Sequence, residues 1–187
     1  MSNAATAWKV VAVNGSPQKA SRTQVVIDAL LAQLEPARRL SVQTVALSDL
    51  GPALAACARR EAVPERVERH LRAIEQADFL VVGSPVYRAS YTGLFKHLFD
   101  LVHHEALVGV PVLLAATGGS DRHALMIDHQ LRPLFGFFQA QTLPLGVYAS
   151  EADFNGLHIQ SPTLQARIQR AAAVAGQHLA RARALAA

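Results

Sequence analysis

Cysteine is nearly absent from this chain: Cys57 stands alone among 187 residues. One thiol closes no internal disulfide and builds no thiolate metal site. That suits a reducing compartment, and a cytoplasmic protein is expected. Met1 to Lys9 agrees, because it lacks the basic stretch and apolar core of a secretory signal. Long apolar runs are missing too. None approaches the roughly 18–20 residues that span a bilayer, so no membrane role is expected. Clustered charge is also lacking. Lys and Arg outnumber Asp and Glu by 18 to 14, for a net charge of +4, yet the arginines are scattered. Without a basic run, a nucleic-acid partner is not expected. Neither G-x-G-x-x-G nor G-x-x-x-x-G-K-[ST] occurs, which disfavours Rossmann dinucleotide and P-loop readings. Ser84 precedes Pro85 and sits in no G-x-S-x-G elbow.

What remains is an ordinary globular composition, with 51% apolar residues. The length is enough for one stable core. No repeat, linker or low-complexity stretch divides it, so residues 1–187 read as one domain. Short apolar runs alternate with helically spaced segments. Trp8–Asn14 reads as a strand and Thr23–Leu34 as a helix, with Ser21 as its N-cap. Leu40–Leu47 reads as a second strand. Asp49–Pro64, with Gly51-Pro52, reads as an irregular surface excursion with a short helical piece around Ala53–Arg59. Val67, Leu71 and Ile74 mark a helix. Asp78–Gly83 is a third strand that Ser84-Pro85 stops, and Tyr91–Val102 is a helix. Val110–Ala116 is a fourth strand, Ala124–Phe138 is mostly helical, Thr142–Val147 is a fifth strand, and Leu164–Ala186 closes the chain as a long helix.

Val- and Leu-rich runs of this kind suit a parallel sheet covered on both faces. The expected fold is therefore α/β: a three-layer, doubly wound, five-stranded parallel sheet with strand order 2-1-3-4-5. Ligands of such sheets bind beyond the carboxyl ends of the strands. Three loops lie there. Asn14–Thr23 opens a helix, so its free amides, the hydroxyls of Ser16, Ser21 and Thr23, and Arg22 suit a phosphate. An ordinary strand-to-helix turn would look the same. Gly83–Gly93 offers Pro85 as a fixed turn and Tyr87 as a flat surface. Ala116–Asp121 carries Gly118-Gly119, which permit close backbone approach.

Together the loops resemble the NADPH-dependent FMN reductase family. The resemblance rests on Gly15-Ser16-Pro17 with Ser21-Arg22-Thr23, on Gly83-Ser84-Pro85-Val86-Tyr87 with Ala89-Ser90-Tyr91-Thr92-Gly93, and on Ala116-Thr117-Gly118-Gly119. It extends from about Lys9 to Val147. It implies a flavodoxin-like fold, FMN as the flavin, NADPH or NADH as the reductant, and a homodimer or homotetramer. It also implies the site. Ser16, Ser21, Arg22 and Thr23 would grip the phosphate. Pro85, Val86, Tyr87, Arg88, Thr117, Gly118 and Gly119 would line the flavin. Gln18 departs from the family, where many members have arginine; Lys19 stands beside it. The chain is most similar to the reductases that supply reduced FMN to alkanesulfonate and methanesulfonate monooxygenases, so an FMNH2-dependent monooxygenase is an expected partner. Leu125–Leu134 resembles the segment where those enzymes carry an inserted residue as a π-bulge at a subunit interface. The matching residue here is His129.

Hydride transfer from a nicotinamide to a flavin needs no protein nucleophile or base, so no catalytic side chain is expected. A quinone or azo reductase with tightly held FMN would carry the same loops. A flavodoxin-type electron carrier is usually strongly acidic, which this chain is not. A phosphate-binding domain without redox activity is the remaining reading. Among the histidines, His103-His104 ends a helix, and no nearby Cys, Asp or Glu completes a known metal spacing, so no metal is expected. His123 follows the glycine loop and is a candidate for the nicotinamide side. His129 lies in a helical apolar pattern, where an interface or core histidine is the plainer expectation.

Overall fold

Alternation along the strands sorts the apolar side chains onto two faces. In β1 (Trp8–Asn14), Val11 and Val13 join one buried cluster while Val10 and Ala12 join the other. β3 (Phe79–Pro85) and β4 (Pro111–Gly118) divide in the same way, with Leu80, Val82, Val112 and Leu114 on the first side and Phe79, Val81, Leu113 and Ala115 on the second. Both faces must therefore be covered. α1 (Arg22–Leu34) and α6 (Pro162–Leu185) cover the second face. α2 (Leu47–Ala55), α3 (Glu65–Glu75), α4 (Gly93–Asp100) and α5 (Arg132–Phe137) cover the first. With β2 (Leu40–Ala46) and β5 (Gln141–Thr142) the sheet runs β2-β1-β3-β4-β5, all parallel, in the expected order. The computed structural model describes residues 7–34 and 39–185; Ala186, expected in the last helix, lies outside the described residues.

Four segments differ from the sequence expectation. The irregular excursion begins instead as α2, directly after β2, with Gly51 and Pro52 inside it. Proline crowds the Cβ of the residue before it, and Gly51 has none, so the helix tolerates the pair while Leu47, Leu50 and Leu54 stay buried. The rest of the excursion is fastened by Arg60. Its guanidinium bonds both oxygens of Glu68 at 2.6 and 3.0 Å, both oxygens of Glu75 at 2.7 and 3.1 Å, and the Leu101 carbonyl. The bonds from Arg60, then Arg72, hold the Glu68 carboxyl down at about 2.

The fifth strand is broken. β5 ends at Thr142 and β6 (Val147–Ser150) resumes on the same edge of β4. Pro144 lacks the amide a ladder needs. Arg132 takes the carbonyls of Leu143 and Pro144, and Arg167 takes that of Gly146, so the gap leaves those acceptors satisfied. The helix after β4 is composite: a 3-10 turn over Asp121–His123, a π-helix over Ile127–Leu131, then α5. Finally, β7 (Phe154–Asn155) and β8 (His158–Ile159) form an unexpected antiparallel hairpin, turning at Gly156 with φ +61°.

The carboxyl ends of β1, β3 and β4 are laced together by short polar bonds. Gly15 N donates to the Gly83 carbonyl at 2.7 Å, and Val86 N to the Thr117 carbonyl at 2.7 Å. Thr92 caps α4 through its hydroxyl oxygen, which accepts from Phe95 N and donates to the Gly15 carbonyl at 2.9 Å. The buried hydroxyls of Thr23 and Thr117 meet at 2.7 Å, tying the start of α1 to the end of β4. Thr23→Val or Thr117→Val alone strands one buried hydroxyl, and each is expected to cost about 1–2 kcal/mol. The double Val variant should cost less than the sum by about 1 kcal/mol, as measured by urea unfolding. Strict additivity would show that the pair carries no coupling.

Candidate active site

The first loop is braced from within. Buried Asn14 accepts from Ser16 N at 2.9 Å and donates to Gln24 at 2.8 Å. The Ser16 hydroxyl is committed to Gln18, whose amide it accepts at 3.1 Å. Ser21 caps α1 as expected: its hydroxyl accepts from Gln24 N and its carbonyl from Val25 N. The amides of Ala20 to Thr23 are then left without acceptors among the described residues. No acidic residue occupies the first turn of α1. Free amides at the positive end of a 13-residue helix favour an anion.

The second loop supplies a wall. Tyr87 and Ser90 exchange backbone bonds at 2.8 and 3.2 Å, closing a tight turn over Arg88 and Ala89. Both central residues have positive φ, +51° and +68°, a conformation that costs an L side chain about 1–2 kcal/mol. The turn leaves the Tyr87 ring half-exposed at the cleft. The third loop follows β4. A Cβ at Gly118 would run into the Tyr148 hydroxyl, which donates to the Ser120 carbonyl. Burial, with help from Asp121 and Asp153, pushes the Tyr148 phenol above its ordinary value, so it stays a neutral donor. Gly119 faces open space.

These loops enclose a cleft of about 600 Å³, a volume suited to a mononucleotide-sized ligand. Ser16, Ser21, Arg22 and Thr23 line its first wall. Pro85, Val86 and Tyr87 line the second, and Thr117, Gly118 and Gly119 the third. Arg88, expected among them, is exposed in the left-handed turn and is not among the residues that line the cleft. The hairpin adds Gly156 and Leu157, which sequence reading missed; Asn155-Gly156 was the available turn signal. Among the described residues no carboxylate lines the cleft, nor does a histidine or lysine. The donor set therefore fits the phosphate and flat ring of FMN.

Arg22 is the site's one guanidinium, and it is already engaged. Its Nη2 bonds Glu151 at 2.9 Å, its Nε reaches the Gly156 carbonyl at 3.5 Å, and its Cζ lies 5.7 Å from the centre of the Phe154 ring. The histidines lie elsewhere. His123 lies in the 3-10 turn and lines none of the cleft. His129 occupies the middle of the π-helix and is exposed, not a core histidine. His103, His104 and Glu105 bring their ligand atoms within 4.8 Å of one another on an exposed turn. That grouping comes from the turn itself and from no recognisable spacing.

The sequence and the fold are similar to those of known proteins. A sequence profile of the family described as NADPH-dependent FMN reductase matches residues 8–155. The chain is 54% identical over 175 residues to an NADH-dependent FMN reductase SfnF of Pseudomonas fluorescens, covering 91% of this chain and 94% of that one. It is also 54% identical over 165 residues to an FMN reductase (NADPH) of Pseudomonas aeruginosa, covering 88% and 89%. Among solved structures, an oxidoreductase from Corynebacterium diphtheriae superposes with a TM-score of 0.82 at 35% identity, covering 92% of this chain and 97% of that one. With the profile matching most of its length and relatives this similar along nearly all of it, the chain belongs to the NADPH-dependent FMN reductase family.

Proposed function

We propose that this protein passes a hydride from NADH or NADPH to FMN and then releases the reduced flavin to a separate sulfonate monooxygenase. One observation carries the first half: a mononucleotide-sized cleft combines free helix-start amides, a guanidinium and a tyrosine wall, with no carboxylate, histidine or lysine among the described residues that line it. FMN, when bound, supplies the hydride-accepting chemistry at its N5. The protein's part is position. Ala20 to Thr23 and Arg22 would hold the phosphate, while Val86, Tyr87, Gly118 and Gly119 would set the ring against the nicotinamide at roughly 3–3.5 Å. Relatives of equal identity are named for NADH and for NADPH, which supports a reductase that accepts a nicotinamide of either kind. The second half is supported by the π-helix at Ile127–Leu131, in the segment that resembles sulfonate-linked reductases.

The same segment supports a homodimer or homotetramer. Leu125 is 61% exposed and Phe137 68% exposed, on the outer side of the composite helix that carries His129. Water-facing apolar side chains of this size suit a subunit contact. Light scattering should give the parent an integral multiple of the chain mass, and Leu125→Glu with Phe137→Glu should lower it. A parent that is monomeric at micromolar concentration overturns the assignment.

The catalytic reading has its own check. NAD(P)H oxidation should rise saturably with added FMN, and dialysed protein should keep little yellow colour. A stoichiometrically yellow protein, fully active on a quinone or azo dye without added flavin, would instead make it a reductase with resident FMN.

A further inference from the structure

Glu151 lies 129 positions from Arg22 in sequence yet meets it at the rim of the cleft. We infer that Glu151 sets how long the flavin phosphate is held, by competing with it for the Arg22 guanidinium. The inference rests on the flavin reading above and adds a residue that controls release.

The carboxylate is mounted firmly although its tip is exposed. Glu151 opens a 3-10 turn, Glu151–Asp153, directly after β6. A reciprocal cap fixes that turn: the Ser150 hydroxyl oxygen accepts from Asp153 N, and the Asp153 carboxylate accepts from Ser150 N at 2.8 Å. The Asp153 carbonyl then accepts from Gln160 N and Ser161 N beyond the hairpin. Gln160 also donates to the carbonyls of Ala152 and Phe154. The base of Glu151 is thus tied on both sides, and the Phe154 ring and the Gly156 carbonyl hold the same guanidinium beside it.

A guanidinium carries a single positive charge on five donors in one rigid plane, so an edge and a charge given to one oxyanion are drawn away from a second. Arg22 opens α1, beside the amides that suit a phosphate. Its Nη2 edge already serves Glu151. A phosphate bound at those amides must share Arg22 with a carboxylate and bear that carboxylate's negative charge. Both effects loosen the hold on the phosphate, and neither acts on the ring. As a contribution to folding the pair is minor, because the Arg22 and Glu151 side chains are 35% and 62% exposed. Glu151 can therefore be changed without unfolding the protein.

The test compares FMN with riboflavin, which lacks the phosphate, by flavin fluorescence titration and stopped-flow dissociation. Glu151→Gln should tighten FMN by about 5–20-fold, the scale of one charge-assisted hydrogen bond, chiefly through slower dissociation. Riboflavin affinity should not change. Against an Arg22→Ala background the same substitution should change FMN affinity by less than about twofold. Equal FMN constants for Glu151→Gln and the parent would reduce the contact to a surface ion pair and overturn the inference. So would a parallel shift for riboflavin, or a full gain without Arg22. A parent that binds neither flavin rejects the reductase reading itself, and the inference with it.

Discussion

A buried pair of threonine hydroxyls, Thr23 against Thr117 at 2.7 Å, holds the opening of α1 to the end of β4, and the geometry of the cleft follows from that lacing. Parallel strands end at different depths, and loops on their carboxyl edges would otherwise move independently. Here β1 and β3 are bridged by Gly15 N to the Gly83 carbonyl, β3 and β4 by Val86 N to the Thr117 carbonyl, and α4 is hung from Gly15 by Thr92. The contact is too close for side chains. A Cβ on Gly15 would lie 2.7 Å from a Phe95 ring carbon and 2.9 Å from the Gly83 carbonyl. Glycine at this point is a packing requirement before it is a binding one.

From that frame the site's chemistry follows by placement. The loop spends its own polar atoms on bracing: Asn14 on Ser16 and Gln24, the Ser16 hydroxyl on Gln18, the Ser21 hydroxyl on Gln24. The amides that remain belong to residues that line the cleft, and among the described residues no carboxylate lines it with them. Glu151 stands outside the lining but within reach of Arg22, so attraction and its moderation are built from different elements. A site assembled in this way suits a charged, flat ligand, and position is what hydride transfer between two cofactors asks of a protein.

Much of this was legible in the residues. The Val-rich runs reported a sheet covered on both faces, because every second side chain had an apolar partner to meet. Ser21 before a helical pattern announced its own cap. Contributions from distant segments were not legible. The β7–β8 hairpin has two-residue strands, too short for alternation to register, although Asn155-Gly156 signalled its turn. Arg22 and Glu151 meet only through the fold. Gly51-Pro52 read as a breaker because the local rule sees the proline and not the buried Leu47, Leu50 and Leu54 that favour a helix there. The left-handed turn at Arg88 and Ala89 was not legible either, because neither residue is a glycine. The fifth strand read as continuous because its carbonyls are satisfied by Arg132 and Arg167, which no local pattern reveals.

The claim on which all of this depends is the seat of the phosphate at the opening of α1. Backbone amide chemical shifts followed through an FMN titration test it residue by residue. The account predicts the largest changes at Ala20 to Thr23, with further changes at Val86, Tyr87, Gly118 and Gly119. Unchanged amides from Ala20 to Thr23, with the shifts gathered instead at the apolar groove of Tyr91, Phe99 and Phe137, would contradict it.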